Sequence, residues 1–285
     1  MHRTHVRSQR PETESRSGRG LLEVALVAGR TVVTRARAGN PLKLLAPRPR
    51  SPVAWVYTTT FGGGMLAGDI TDLEVHVGAG ATCAMSTQSA TKVYKSLDGH
   101  HSKQILRGTV ADGGTLVLTP DPVTCFDGAL YEQEQRFEVE PGGTLLAIDQ
   151  LTSGRRERGE RWAFTSYRSR LDVFHAREHV LADALHLDPM DGALDAPHRM
   201  GRFNCLAIVA MIGKRLSKIS RALVEEIGKL PLEPQAPVLE VASPISCGAV
   251  LRVLGTTPER VERRLRERLL FLGDLLGETP WARKW

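Results

Sequence analysis

Aromatic residues make up only 5% of these 285 residues, and cysteine occurs four times. So few rings exclude a base-stacking platform for single-stranded nucleic acid. Cys83, Cys125, Cys205 and Cys247 stand far apart with no C-x-x-C pair. That excludes a zinc ribbon or disulfide framework and predicts buried thiols of a cytoplasmic protein. No stretch approaches the roughly 20 apolar residues of a membrane span. The first apolar run, 21–27, is interrupted by Glu23, which leaves no apolar core of signal-peptide length. There is no H-E-x-x-H, no G-x-S-x-G and no ordered Ser/His/Asp set.

Glycine is plentiful, and its densest cluster is a loop from Gly62 to Gly68 that ends on Asp69. A P-loop has the form G-x-x-x-x-G-K-[ST], because its lysine reaches phosphate oxygens and its hydroxyl holds magnesium. Gly63 and Gly68 have that separation, but Asp69 and Ile70 occupy the lysine and hydroxyl positions. A carboxylate there repels phosphate and tolerates a cation. The loop, which also contains Gly64, is therefore not a nucleotide site.

The formal charge of +6 is concentrated at the start, where residues 1–20 carry five arginines against two glutamates. This Arg-, Ser- and Pro-rich segment reads as a disordered basic tail, and the remainder is only mildly basic. From Leu21 the pattern is strand-like, with a proline-rich loop (Pro41, Pro47, Pro49, Pro52) before a strand over 53–60. An internal echo follows. Val77 to Thr82, Val110 to Thr115 and Val139 to Thr144 each read strand, V-x-x-G-[GA]-T, strand. Glycine supplies the positive φ of a tight hairpin turn, and recurrence at roughly 30 residues is typical of stacked repeats. Strands are also expected over 161–167, 171–175, 180–187, 204–212 and 250–254.

The period then changes. Leu216, Ile219, Leu223, Ile227 and Leu230 mark one amphipathic helix, ended by Pro231, Pro234 and Pro237. Thr257 as N-cap and Pro258 open a second, with Val261, Leu265, Leu269, Leu272 and Leu276 as its stripe. That stripe predicts a helix only marginally stable until a partner covers it. The fold class is α+β, β-dominant. A stacked β-strand body, β-helix or solenoid-like, spans about 21–212, and a helical part with two amphipathic helices spans about 213–285, in one domain.

Polar clusters admit a functional and a structural reading. Thr87, Gln88, Thr91, Lys92 and Tyr94 lack a nucleophile–base pair and suit a buried hydrogen-bonded network. The segment 149–160 offers Asp149, Glu157 and Glu160 among Arg155, Arg156 and Arg158. Those acids suit acid–base chemistry, cation binding or arginine pairing around a turn. His175 and His179 have zinc-like spacing but no third ligand. His100 and His101 suit a hairpin tip, and Cys125 suits a small buried hydrophobe.

The ordered blocks GGGMLAGD (62–69), STQSATKVYKS (86–96), PDPVTCF (120–126) and DQLTSGRRERGE (149–160) resemble the urease accessory protein family UreD, called UreH in some systems. The strand around Arg252 and the helix after it fit as well. The family's Thr-Thr-Gln is Ser86-Thr87-Gln88 here, and its closing Pro-Arg-x-Trp is spaced out between Pro280 and Trp285.

The resemblance implies a non-enzymatic chaperone for nickel insertion. It binds UreF directly, recruits the GTPase UreG through UreF, and docks on the urease apoprotein. It holds no tight cofactor: nickel is in transit, and GTP sits on the partner. Nucleic acid and membrane are not among its partners. Asp69, Asp149, Glu157 and Glu160 match blocks along a proposed nickel passage; Thr87, Gln88, Lys92, Tyr94 and Arg155 match their polar neighbours. The competing reading is a β-helical carbohydrate-active enzyme using Asp149, Glu157 and Glu160 as acid and base. A third is a purely structural adaptor.

Overall fold

The computed structural model describes residues 17–48, 51–231 and 233–283. Residues 1–16 of the expected tail, and the closing Lys284 and Trp285, lie outside them.

The chain enters as a hairpin of β1 (Ser17–Val27) and β2 (Arg30–Ala38). Then come β3 (Leu42–Leu45) and β4 (Ala54–Thr60), the glycine loop, β5 (Ile70–Val77), β6 (Thr82–Thr87) and the short β7 (Thr91–Val93). Next are β8 (Ser102–Val110), β9 (Thr115–Leu118), β10 (Val123–Cys125), β11 (Leu130–Val139) and β12 (Thr144–Thr152). A hairpin of β13 (Ser166–His175) and β14 (Glu178–Leu187) leads to β15 (Cys205–Ile212) and helix α1 (Ser217–Gly228). The hairpin β16 (Val238–Ile245) and β17 (Gly248–Gly255) precedes α2 (Pro258–Arg268) and α3 (Leu272–Leu276).

These strands form two facing sheets. The first has the order β14-β13-β11-β8-β5-β1-β2; the second runs β16-β17-β15-β12-β9-β6-β4-β3, with β7 and β10 appended. The echo explains why. Val77, Val110 and Val139 are register partners across parallel β5, β8 and β11, while Thr82, Thr115 and Thr144 are partners across β6, β9 and β12. The β-dominant, stacked expectation therefore stands, with one correction. The glycine turns are not hairpins. A two-residue turn would place its flanking strands in one ladder. Four residues between the valine and the threonine instead carry the chain across the ~10 Å that separates packed sheets. Gly80 and Gly113 turn in the left-handed region at φ 67° and 70°. Gly142 is glycine for another reason: the Asp112 carboxylate lies where a Cβ would go and accepts from the Gly142 amide at 2.8 Å.

Several local expectations change. Residues 17–20 are strand, not tail, because Gly18 and Gly20 let β1 press against the chain at Gly39 and Leu42 closer than a side chain allows. The proline-rich loop contains β3, since its Leu42 side chain is core. Residues 161–165 are not strand; Trp162 turns there at φ 54°. His100 and His101 lie between β7 and β8, which belong to different sheets, so they do not tip a hairpin.

Two cores result. Leu145 and Ala147 of β12 face the first sheet, and their neighbours Leu146 and Ile148 face the helices. The second helical stripe breaks at 269–271 into α2 and α3, and α3 ends at Gly277, which turns at φ 72°. Its residues Val261, Leu265, Leu269, Leu272 and Leu276 are all buried against β15 and β17. The stripe is covered by the chain's own sheet and does not wait for a partner.

Candidate functional site

The interior between the sheets is not uniformly apolar. Along β11 the inward positions read Tyr131, Gln133, Gln135, Phe137 and Val139, all buried. Parallel register aligns Gln133 with Gln104 of β8 and Ser169 of β13, and Gln104 with Thr71 of β5. One polar rung therefore crosses four strands of the first sheet. Opposite it, the second sheet presents Thr58, its register partner Thr87, and Asp149 of β12. Between them lies a cavity of about 100 Å³ lined by Thr58, Thr87, Gln104, Asp121, Gln133 and Asp149 among others. It separates the large core at the repeat turns from a second apolar cluster around the stacked rings of Tyr131 and Tyr167.

Asp149 is the acid at the centre of this layer. Its Oδ1 accepts from Gln133 Nε2 at 2.9 Å and its Oδ2 from the Ser169 hydroxyl at 2.7 Å. Gln133 is held in turn, its amide oxygen accepting from the Tyr131 hydroxyl at 3.1 Å. Burial pushes the Asp149 carboxyl above its usual range; the Ser169 and Gln133 donors oppose that, and the charge of Asp183 adds to it. A carboxylate offers about four lone-pair positions, more than these two donors use. An oxygen site of that kind suits a divalent cation in exchange.

The wall beside Asp149 is thin for a reason visible in the chain. β9 stops at Leu118, and the segment after it, Pro120-Asp121-Pro122, has two residues without an amide hydrogen to continue the ladder. Side chains close the gap instead. The Asp121 amide donates to Thr87 Oγ1 at 2.8 Å, and Gln150 Nε2 donates to the Pro120 carbonyl at 2.9 Å. On the outer face of the same wall a recess of about 330 Å³ shares Pro120, Asp121, Ile148 and Gln150 with the cavity. It lies beneath the start of α2, whose Glu259 and Glu262 line it.

The structure brings only part of the expected set to this place. Asp149 and Thr87 line the cavity, and Gly63 flanks an adjoining recess. Asp69 is buried but serves its own loop: its Oδ2 accepts from the Leu66 amide at 2.8 Å, and Gly68 turns at φ 79° to allow it. Gly64 is glycine because a Cβ would strike the Tyr94 ring and the Lys92 carbonyl. The Lys92 and Gln88 side chains face solvent.

Arg155 and Glu160 clamp each other across the loop after β12, with Arg155 Nε 2.9 Å from Glu160 Oε2. The guanidinium lies 3.8 Å from the centroid of Phe126, which meets Tyr94 edge-on. The arginine holds the Glu160 carboxyl below its ordinary range. Glu157 is exposed. The three carboxylates of the carbohydrate reading therefore do not share the cavity. His179 bonds Asp172 at 2.9 Å and stacks on Phe174. Among the described residues, no three His, Cys, Asp or Glu side chains group as a metal centre, and no helix is long and apolar enough to cross a membrane. Cys83, Cys125 and Cys205 are buried thiols, and Cys247 is half-buried.

Asp121 and Gln150 stand inside the 120–126 and 149–160 blocks without being singled out there, and Gln104, Gln133 and Ser169 stand outside every block. The two glutamines on the apolar face of β11's alternation are the signal that marks them, since polar residues on a core face need a shared network.

Comparison with known proteins agrees with the motif blocks. A family described as UreD urease accessory protein matches residues 16–285. A urease accessory protein UreD of Sorangium cellulosum is 46% identical over 271 residues, covering 95% of this chain and 85% of the relative. One from an Anaeromyxobacter species is 43% identical, covering 96% and 92%. A urease accessory protein D of Oryza sativa is 36% identical, covering 92% and 94%. The chain belongs to the UreD family of urease accessory proteins.

Proposed function

We propose that this chain is a non-enzymatic maturation chaperone that carries a UreF-type protein, and through it a UreG-type GTPase, on cytoplasmic apo-urease. In this reading nickel moves toward the urease active site through the polar layer between the two sheets. The observation that carries it is Asp149: one partly buried carboxylate, oriented by Gln133 and Ser169, on the wall of a cavity backed by a second recess. Oxygen ligands bind nickel(II) weakly enough to release it, where a closed His/Cys set would retain it. The stations after Asp149 are Asp121 and Gln150 in the thin wall, then Glu259 and Glu262 outside it. The reading also accounts for the glycine loop, which lacks the lysine and hydroxyl of a nucleotide site; GTP belongs to the partner.

The experiment is co-purification combined with activation. The tagged chain captures the UreF-type protein, and the UreG-type GTPase only when that protein is present. With both, it raises the nickel content of apo-urease. Capture of the GTPase without the UreF-type protein contradicts the assembly order. Assembly without nickel transfer leaves only the structural adaptor.

A further inference from the structure

The rung that contains Asp149 continues along the second sheet. Asp149 is the register partner of Ile208 on β15, and Ile208 is the partner of Arg252 on β17. Strand alternation puts the three side chains on the same inward face, since Ala147, Ile208 and Val250 belong to the core between the sheets. Arg252 ends this row. Its guanidinium crosses to the other sheet and pairs with Asp183 of β14. Asp183 is 11% exposed and Arg252 43%, so the carboxylate is the more enclosed partner. β14 is an edge strand of the first sheet and β17 lies next to the edge of the second. The ion pair thus spans the side of the sandwich remote from the Thr58 end of the cavity.

Asp183 is the register partner of Leu171, two residues along β13 from the Ser169 that bonds Asp149, so its charge acts on that carboxylate. Unmatched, it would be a second enclosed carboxylate in the field of the first. Two such groups bind a divalent cation far more tightly than one, because the attraction scales with both charges and is weakly screened inside the protein.

We infer that Arg252 is a positioning residue for cation transit: by matching Asp183, it keeps a second uncompensated charge out of the field of Asp149, which stays a weak site that releases its ion. This rests on the reading of Asp149 as a nickel station and adds the reason why that station releases its load. Lysine is a poor substitute, because a point charge cannot reproduce the planar guanidinium's fit to a carboxylate.

Equilibrium dialysis of Ni²⁺ alone against the purified full chain tests this. Arg252→Gln is expected to bind Ni²⁺ about tenfold or more tightly, from the added unmatched charge. The double variant Asp183→Asn with Arg252→Gln should return close to wild type. Asp183→Asn alone leaves a bare guanidinium near Asp149 and should bind more weakly than the double variant. That last comparison decides the matter even where Arg252→Gln fails to fold. Equal affinity in wild type and Arg252→Gln, or in Asp183→Asn and the double variant, overturns the role of Arg252. Asp149→Asn separates the two levels: unchanged binding there overturns the nickel station itself, whereas lost binding there with an unaffected Arg252→Gln overturns only the inference about Arg252.

Discussion

Gln133 and Asp149 face each other from opposite sheets, and the glutamine amide donates to the carboxylate at 2.9 Å across the gap. The bond does two things. It partly compensates a charge that burial disfavours, and it orients the carboxylate on the cavity wall. The charge is still unfavourable on balance, because the Asp149 carboxyl sits above its usual range. From that follows a dependence of stability on pH.

Between the ordinary aspartate value and the raised folded value, the folded chain holds a proton that the unfolded chain has lost. Stability therefore falls as pH rises through that window. Asp149→Asn removes the cost. The variant should melt above wild type at pH 8, with the difference shrinking toward pH 5. Each pKa unit of elevation is worth about 1.4 kcal/mol, or roughly 3–5 °C in a large domain. Thermal denaturation across that pH range checks it; a difference that is constant or grows on acidification contradicts it.

Gly108 and Phe137 are register partners on β8 and β11, and the Phe137 ring fills the space that a Cβ on Gly108 would occupy. Gly108→Ala should destabilise the chain by about 1–3 kcal/mol through overpacking. Phe137→Leu should cost about 1 kcal/mol alone and recover part of the Gly108→Ala loss, since residues in contact are not additive. Chemical denaturation of the single and double variants measures the coupling. Strict additivity would mean that the two positions do not share that space.

Glu160 lies outside the cavity walls and is tied to Arg155 and the Asp127 amide. Glu160→Gln should loosen the loop after β12, read as faster proteolysis between 153 and 165, with Ni²⁺ affinity unchanged. Reduced Ni²⁺ affinity with an intact loop would return Glu160 to the passage.

Leu265 of α2 is buried against the second sheet. Leu265→Ala should cost about 2–5 kcal/mol, as buried leucine truncations do. Denaturation of the chain without any partner reads it. A negligible loss would mean that α2 gains its stability elsewhere.

Much of this fold was legible from residue order. The echo of Val77, Val110 and Val139 gave the stacking, and the three- and four-residue spacing gave α1 and the start of α2. What the pattern could not give was the sheet to which each strand belongs. A glycine turn looks alike whether it closes a hairpin or crosses between layers; only the register partners tell them apart. The site was legible in part for the same reason. Asp149 and Thr87 stood in conspicuous polar blocks. Gln104, Gln133 and Ser169 sit on three separate strands and become neighbours only through parallel pairing. Asp69 and Glu160 are matched to the passage by resemblance alone, and in the structure each bonds within its own loop.

In the proposed function, nickel passes Asp149 on its way to urease. Its most direct test is the nickel content of urease after activation by the assembled complex carrying wild-type chain or Asp149→Asn, with complex formation measured in the same samples. Normal assembly and a severalfold lower nickel content are expected with the variant. Full nickel loading by an intact Asp149→Asn complex would contradict it.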